Sequence, residues 1–285
     1  MASGSLYIRD AINSATSVKR HNPDLPITIY TDEDPDSDVF DNVVSIDKPL
    51  NSMGDSILSE RHMPYDRNLY LDTDTYIDGD ITDIFNLLDS FDLALAENPG
   101  TGSSNQAVYD KLDIEFPTAF PVFNSGVIAY KNNENIINLF SEWNKIYHKS
   151  ITDDIPHETN QPSLRAALYG SDVRFVTLRN EYNFQINHHR RARGKIKIVH
   201  NSGISPVDME SFAIAANSYT GNRVITFDEY PCRVTLTEKH SKKYKLNMLV
   251  RSKYYRYRIG KKLLDRYRKD GLFSLLKVSV ENLLK

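Results

Sequence analysis

The chain has 285 residues, 40% of them hydrophobic and 26% charged, which is enough for one main globular domain with an appendage. Its single cysteine, Cys232, excludes an intramolecular disulfide framework and favours a reducing compartment such as the cytoplasm. No stretch approaches the roughly 20 apolar residues of a membrane-spanning helix, and the start lacks the basic-then-apolar pattern of a signal peptide. The sequence therefore predicts a chain that does not span a membrane.

The net charge of −3 is unevenly distributed along the chain. Residues 242–285 carry 14 Lys and Arg against three acidic residues. Residues 1–241 hold 21 basic and 35 acidic residues, a net charge of −14 that would repel nucleic acid. The composition changes near Lys239, which predicts a main domain at 1–238 followed by a basic tail at 239–285.

Apolar residues at helical spacing alternate with short β-rich runs through the main domain. The helical patterns cover 8–18, 82–88, 134–148 and 161–169. The strand patterns cover 27–30, 43–46, 68–71, 93–96, 127–130, 173–178 and 196–199. This alternation is typical of an α/β fold in which helices cover a sheet. The tail interleaves its basic residues with Tyr and Leu, which predicts a pair of amphipathic helices.

Two carboxylates, Asp72 and Asp74, directly follow the apolar run 68–71. Ligands of open α/β sheets bind at the carboxyl ends of strands, so both side chains are expected to face the binding crevice. Mg²⁺ and Mn²⁺ take oxygen ligands and are commonly shared between one or two carboxylates and a substrate diphosphate. The pattern predicts such a site, although a plain polar turn is the alternative in a chain with 38 acidic residues.

The stretch Arg67–Leu88, R-N-L-Y-L-D-T-D-T-Y-I-D-G-D-I-T-D-I-F-N-L-L, closely resembles the D-x-D region of GT-A glycosyltransferases. The likeness is strongest to the retaining family 8, which includes glycogenin and bacterial lipopolysaccharide galactosyltransferases, and it extends along most of residues 3–205. It implies a GT-A nucleotide-diphospho-sugar transferase fold, a Rossmann-like mixed sheet with helices on both faces. It also implies a nucleotide-sugar donor such as a UDP-sugar, a glycan or lipid-linked acceptor, and Mn²⁺ or Mg²⁺ as cofactor.

Three further segments resemble the family in order along the chain. They are F-N-S-G-V at 123–127, T-N-Q-P-S-L-R-A-A-L at 159–168 and I-V-H-N-S-G at 198–203. Taken singly, each has a structural alternative: a turn residue before Gly126, a residue at a helix start, and a satisfied histidine at a strand end.

The resemblance implies roles for individual residues. Nucleoside and donor contacts fall to Ser3, Tyr7, Asp32, Asp72 and Thr73, catalytic contacts to sugar or acceptor fall to Glu97, Asn124 and Gln161, and metal ligation falls to Asp72, Asp74 and His200.

The sequence departs from the family pattern in three places. Asn160 replaces an aspartate, so a carboxylate role there would pass to Asp154 or Glu158. The family's Lys-Pro-Trp is absent at 204–206, which leaves the diphosphate contact to one of four basic residues: Arg190, Arg191, Arg193 or Lys195. The apolar strand expected before Ser3 is missing, so we expect it to be very short or encoded upstream of Met1.

Several alternatives remain open at this stage. Leu69–Ile77 also fits a haloacid dehalogenase-type phosphatase with Asp72 as nucleophile. A related nucleotidylyltransferase is less favoured, because no glycine-rich phosphate loop is recognisable, and a catalytically inactive sugar-nucleotide-binding scaffold protein is the non-enzymatic alternative. An inverting transferase would need a carboxylate base, with Asp153, Asp154 and Glu158 as candidates.

The basic tail at 242–285 has two interpretations. A basic, aromatic, amphipathic helix pair is typical of segments that bind an anionic membrane surface, which would place the protein peripherally on the cytoplasmic face of a membrane. Alternatively, residues 272–284 pack on the main domain or on a second subunit of a homo-oligomer.

Overall fold

The computed structural model describes residues 1–46, 53–98, 103–153, 155, 159–186, 190–201, 206–229 and 232–237. Its helices are α1 (Ser5–His21), α2 (Ile84–Leu87), α3 (Ser103–Leu112), α4 (Glu134–Thr152), α5 (Gln161–Tyr169) and α6 (Pro206–Ala216). Its strands are β1 (Thr28–Thr31), β2 (Asn42–Ser45), β3 (Arg67–Leu71), β4 (Thr75–Ile77), β5 (Leu93–Glu97), β6 (Phe123–Lys131), β7 (Phe175–Thr177), β8 (Phe184–Gln185), β9 (Arg190–Arg193), β10 (Ile198–His200), β11 (Asn222–Glu229) and β12 (Cys232–Thr237).

A mixed four-stranded sheet in the order β3-β6-β5-β7 forms the centre of the fold. β6 runs antiparallel to both β3 and β5, while β5 and β7 are parallel. Residues 123–130 of β6 are all buried, because hydrophobic core covers both faces of the sheet. The predicted α/β class is confirmed.

Helices cover the two faces of this sheet. On one face α4 and α5 bury Phe140, Trp143 and Leu164 together with Leu95 and Ile128. α4 begins where the Asn133 side chain accepts a hydrogen bond from the Ile136 N–H at 3.0 Å. On the other face, Val18 of α1 packs with a second set of buried residues that includes Ile77, Ile81, Ala94 and Val127.

Three smaller sheets flank the central one. β1 and β2 form a parallel pair, β4-β10-β8 form a mixed trio, and β12-β11-β9 form an antiparallel trio. Ala2 makes a single parallel bridge to Thr31, with its N–H donating to the Tyr30 carbonyl at 2.8 Å.

The structure differs from the sequence prediction mainly by adding elements. β6 begins at Phe123 rather than 127, because the polar Asn124 and Ser125 also lie in the strand. The additions are α3, α6, β4, β8, β9, β11 and β12. The predicted boundary at 238/239 and the tail at 239–285 lie outside the described residues, and no helix among the described residues is long and apolar enough to cross a membrane.

Candidate metal and donor site

Three strand ends bring Asp72, Asp74 and His200 together. Asp72 follows β3, Asp74 precedes β4, and the antiparallel pairing of β4 with β10 sets His200 opposite Thr75. Backbone bonds fix the loop, since the Asp72 N–H donates to the Gly126 carbonyl at 2.8 Å and the Asn201 N–H donates to the Asp74 carbonyl at 3.0 Å. One ligand atom from each of the three side chains lies within 4.8 Å of the others.

Amide side chains orient His200. Its Nδ1 lies 3.0 Å from Asn183 Oδ1, and the Asn183 amide donates to Asn124 Oδ1 at 2.8 Å. With the Asn183 oxygen as acceptor, Nδ1 carries the proton and Nε2 is the ring atom available to a metal. Nε2 faces the carboxylates, 3.6 Å from Asp72 Oδ2 and 3.3 Å from Asp74 Oδ1.

The charges of the cluster favour a cation. Burial disfavours a charged His200, but hydrogen bonds and attraction from Asp72 and Asp74 outweigh it and raise the pKa of His200 to about 10. Burial also raises the pKa of Asp74, against the opposing hydrogen bond with His200. Two carboxylates around one imidazole therefore hold either a proton or a metal ion, and the oxygen, oxygen and nitrogen donors suit Mn²⁺ or Mg²⁺.

Because Gly126 has no side chain, Asp72 and His200 can lie close against β6. A Cβ at this position would lie under 3.0 Å from both His200 and Asp72, with the Asp72 Oδ2 at 2.5 Å. Any larger residue on this part of β6 would push these two side chains apart. Glycine at 126 is thus required by the close approach of the strand.

Two hydroxyl groups hold the loop of residues 72–74 in place. The Tyr70 hydroxyl donates to Asp72 Oδ1 at 2.7 Å, which leaves Oδ2 on the His200 side. Thr75 donates to the Asp72 carbonyl at 2.8 Å and also lies 2.8 Å from Ser14 Oγ, so α1 is tied to the same loop.

Asp32 organises the loop before α1. Its two oxygens accept from the Ser3 hydroxyl at 2.8 Å and from the Gly4 N–H at 2.9 Å. The Gly4 bond is the main reason that the pKa of Asp32 is lowered. Gly4 has φ +82, a left-handed conformation that suits glycine. Tyr7, on the first turn of α1, is 57% exposed.

The predicted sugar and acceptor residues lie near the same strand end. Gln161 Oε1 accepts from the Asn98 amide at 2.6 Å, and Asn98 follows Glu97, which pairs with Phe123 across the sheet. Asn124 adjoins that pair and is linked to His200 through Asn183. The end of β5, the start of β6 and the start of α5 thus bring Glu97, Asn124 and Gln161 to one end of the central sheet.

Asn160 is buried and hydrogen-bonded to other segments of the fold. It is 3% exposed and accepts from the Ser125 hydroxyl at 2.8 Å, while its amide donates to Ser56 Oγ at 2.9 Å. Its backbone carbonyl accepts from Trp143 at 3.0 Å. The Asn160 amide thus serves as donor to one serine and acceptor from the other.

The other predicted groups are more distant from the cluster or outside the description. Lys195 pairs with Asp78 at 3.4 Å, at the opposite end of β4 from Asp74. Arg191 and Arg193 lie on β9, which pairs with β11. Asp153 lies 3.7 Å from Lys149 at the end of α4. Asp154, Glu158 and the side chain of Arg190 lie outside the described residues.

Sequence reasoning did not assign Asn183, Tyr70 or the spatial role of Gly126. Tyr70 lies inside the D-x-D segment and Gly126 inside F-N-S-G-V, so both were within recognised motifs. Asn183 stands in no motif, and its contact with His200 spans 17 residues.

Comparison with known proteins places the chain among the GT-A folds. No family model and no curated protein matches the sequence. Among solved structures, an active-site mutant of LgtC is 16% identical with a TM-score of 0.51, over 80% of this chain and 96% of that one. Mouse xyloside xylosyltransferase 1 is 15% identical with a TM-score of 0.50, over 70% of this chain and 95% of that one. The predicted resemblance to the GT-A glycosyltransferases of family 8 is confirmed for the fold.

Proposed function

We propose that this chain is a metal-dependent glycosyltransferase that moves a sugar from a nucleoside diphosphate sugar, in the first place a UDP-sugar, to a glycan or lipid-linked acceptor. The observation that carries the proposal is the Asp72, Asp74 and His200 cluster, with Nε2 turned toward both carboxylates by Asn183. The GT-A fold of the chain supports it, because the solved structures that share the fold are transferases.

The cluster fits a divalent ion held by Asp72, Asp74 and His200. When bound, such an ion acts as a Lewis acid that stabilises charge on the departing diphosphate. Tyr70 holds Asp72 and Asn183 holds His200, so the ligands are oriented before the ion arrives. Gly126 provides the room.

The proposed donor and acceptor residues have the roles that the resemblance to family 8 implies. Asp32, fixed by Ser3 and Gly4, faces the nucleoside, with Tyr7 exposed beside the loop. Asp72 and Thr73 face the diphosphate. Glu97, Asn124 and Gln161 contact the sugar and the acceptor from the edge of β5 and β6.

Retention of the anomeric configuration is the proposed stereochemical course. In front-face transfer the leaving diphosphate can take the acceptor proton, so little is asked of a protein base. The amide character of Asn124 and Gln161 suits positioning rather than proton removal. NMR of the first product would show an unchanged anomeric configuration, whereas inversion would require a carboxylate base.

The alternative phosphatase function predicts a different first product. It would make Asp72 a nucleophile, yet here the Tyr70 hydroxyl and His200 both contact its carboxylate. Trapping of a phosphoaspartate at Asp72 would favour that alternative. An inactive scaffold protein would bind a nucleotide sugar without turning it over.

We further propose that residues 242–285 bind an anionic membrane surface, on the cytoplasmic face. Fourteen Lys and Arg in this tail would each contribute up to ~1 kcal/mol near an anionic leaflet. Such binding would bring the acidic main domain beside a lipid-linked acceptor. Packing in a homo-oligomer is the alternative for the same residues.

A donor screen tests the function. The protein is incubated with a panel of nucleotide sugars and Mn²⁺, and release of nucleoside diphosphate is followed with and without a chelator. We expect release from one class of donor that stops when the metal is removed. Release of inorganic phosphate from phosphate monoesters without any nucleotide-sugar turnover would contradict the proposal.

A further inference from the structure

Gln185 is a buried amide with an unused hydrogen-bond donor. It lies at the end of β8 and is 2% exposed, and its Nε2 has no hydrogen-bond partner among the residues that the structure describes. The large majority of buried polar side-chain atoms in folded proteins are paired, because an unpaired buried donor lowers stability. This exception indicates a partner that the folded chain does not itself supply.

The side chain of Gln185 lies on the face of β8 that carries the metal cluster. Its neighbours in the chain, Phe184 and Ile186, are both buried in the core around α6. Successive side chains of a strand point to opposite faces, so Gln185 points away from that core. In the parallel pairing of β8 with β10, Gln185 stands opposite His200. The two side chains therefore lie side by side on one face.

Asn183 has the same orientation, since residues two apart in a strand share a face. Its Oδ1 lies 3.0 Å from His200 Nδ1, and its amide donates to Asn124 at 2.8 Å. The oxygen and the nitrogen of Asn183 are thus both used within the fold. Gln185 lies nearer the carboxyl end of β8, which is the end of a strand where ligands of α/β sheets bind.

Thr75, His200 and Gln185 form a row across the strands β4, β10 and β8. α1 lies at the Thr75 end of this row, where Ser14 Oγ is 2.8 Å from Thr75 Oγ1. Gln185 stands at the other end, two strand spacings or roughly 10 Å away. A ligand that starts beside α1 and passes the metal cluster would reach Gln185 last.

The proposed nucleotide lies along this row. The residues proposed for the nucleoside surround the start of α1, and the metal cluster lies in the middle of the row. The α-phosphate, which is joined to the ribose, would then lie nearer α1, and the β-phosphate would lie nearer β8. The sugar beyond the β-phosphate would face Asn124, which Asn183 of the same segment contacts.

A phosphate oxygen suits the free donor of Gln185. Phosphate oxygens accept hydrogen bonds, and bonds to a charged acceptor are stronger than those between neutral groups. The amide is also neutral, so it does not repel a metal ion held by the neighbouring His200. The chain lacks the family's Lys-Pro-Trp at 204–206, so the diphosphate needs a donor from another element.

We propose that Gln185 is a further donor-binding residue, whose Nε2 donates a hydrogen bond to the β-phosphate of a nucleoside diphosphate or of the intact nucleotide sugar. This inference rests on the proposed function, because it requires a nucleoside diphosphate at the metal cluster. Gln185 contributes no atom to the group of three ligands, so it acts on the affinity for the diphosphate and not on the affinity for the ion.

Gln185→Met tests the inference, because methionine has a similar length and no donor. Without ligand we expect Tm to stay the same or to rise by up to ~4 °C, since Nε2 has no partner to lose in the described fold. Titration calorimetry with Mn²⁺ should show UDP affinity lowered at least ~10-fold, the effect of losing a hydrogen bond to a charged group. UMP has no β-phosphate and should bind as tightly as it does to the wild type.

Asn68→Leu is the control for a buried amide with a structural role. Asn68 is 4% exposed, and its amide donates to the Tyr65 carbonyl at 2.7 Å, at the opposite end of β3 from Asp72. This substitution should lower Tm and leave the affinities for UDP and UMP unchanged. Gln185→Glu is a second test variant, since it places a carboxylate oxygen where the donor was and should weaken UDP binding at least as much as Gln185→Met.

Undiminished UDP affinity in the two Gln185 variants would overturn the inference. Equal losses of UDP and UMP affinity in Gln185→Met, or a fall of its Tm like that of Asn68→Leu, would assign Gln185 a structural role and overturn it as well. A changed affinity for Mn²⁺ alone would do the same. Failure of the wild-type protein to bind UDP would overturn the proposed function itself, and this inference with it.

Discussion

Gly126 sets how closely β6 can approach the proposed ligands. Gly126→Ala would drive a methyl group against Asp72 and His200, so we expect Mn²⁺ affinity to fall at least ~10-fold, the range that follows when ligand orientation is disturbed. A titration with Mn²⁺, followed by the Tm at each concentration, measures this affinity. Gly170→Ala is the matched control, since a Cβ there meets only ordinary contacts at 3.8 Å and beyond and the residue has φ −83. Unchanged Mn²⁺ affinity in a folded Gly126→Ala protein would contradict the geometry.

His200 links metal binding to pH. In the metal-free protein its pKa is about 10, above the ordinary value of 6.5, so a proton competes with the metal at neutral pH. Between pH 6.5 and 8.5 we expect Mn²⁺ affinity to rise with pH, by up to ~10-fold per unit. Without metal, the stability of the folded protein changes with pH in the opposite direction. The stabilisation by protonated His200 is fully present below pH 6.5 and is lost as pH rises toward 10.

The measurement is Tm against pH with and without Mn²⁺. In the wild-type protein the two profiles should diverge as pH rises. His200→Gln keeps a polar side chain without the titrating ring, and its two profiles should run parallel. A wild-type metal effect independent of pH would remove His200 from the proposed ligand set.

The residues of the cluster differ in how far the sequence could predict them. Asp72, Asp74 and His200 each adjoin an apolar run. Their positions at strand ends, together with the resemblance to family 8, predicted that they share one site. Asn183 was not predicted, because its contact depends on the register of β8 beside β10. Tyr70 was not predicted because packing of a partly buried aromatic residue against the core explains it without any bond to Asp72.

The start of α4 determines how the largest helix packs behind the central sheet. Asn133 accepts from the Ile136 N–H, and its amide lies 3.1 Å from Asp92 Oδ1. Asn133→Ala should lower the free energy of unfolding by ~1–2 kcal/mol, as expected for loss of an N-cap. Asn133→Ser, which keeps a capping oxygen, should recover at least half of that loss in urea unfolding. Equal stability of the alanine variant and the wild type would show that the cap has no energetic role.

Elements were predictable where apolar residues repeat at a clear period. α4 and β3 have such repeats and appeared within a few residues of their expected bounds. β9 reads R-R-A-R, with only Ala192 apolar, and becomes a strand because β11 pairs with it. α6 buries Met209, Phe212, Ala213 and Ala216 along one face, but the apolar Ile214 is 62% exposed on another face, which blurs the apolar stripe in the sequence.

At the scale of the whole molecule, the charge separation between tail and main domain predicts membrane association. The full chain should sediment with anionic liposomes at low ionic strength and be released by high salt, because exposed charges are screened. A chain ending near Lys239 should stay in the supernatant and keep donor hydrolysis. If the full chain does not bind anionic liposomes even at low ionic strength, the tail packs on the main domain or in a subunit interface.

The GT-A architecture was predictable because the D-x-D segment and its flanking strands follow one another in a fixed order. The division of the strands among four sheets was not predictable, since it depends on pairings between segments far apart in the chain, such as β4 with β10.

Binding of UDP measured by titration calorimetry with and without Mn²⁺ tests the central claim most directly. The account predicts that wild-type protein binds UDP at least ~10-fold more tightly with Mn²⁺, since an ion held by Asp72 and Asp74 would neutralise charge on the diphosphate. Asp74→Asn should lose this enhancement while keeping its fold. Asp80→Asn, which changes an exposed carboxylate bonded to Thr82 in the same segment, should retain it. UDP binding of equal strength without metal, or an undiminished metal effect in Asp74→Asn, would contradict the account.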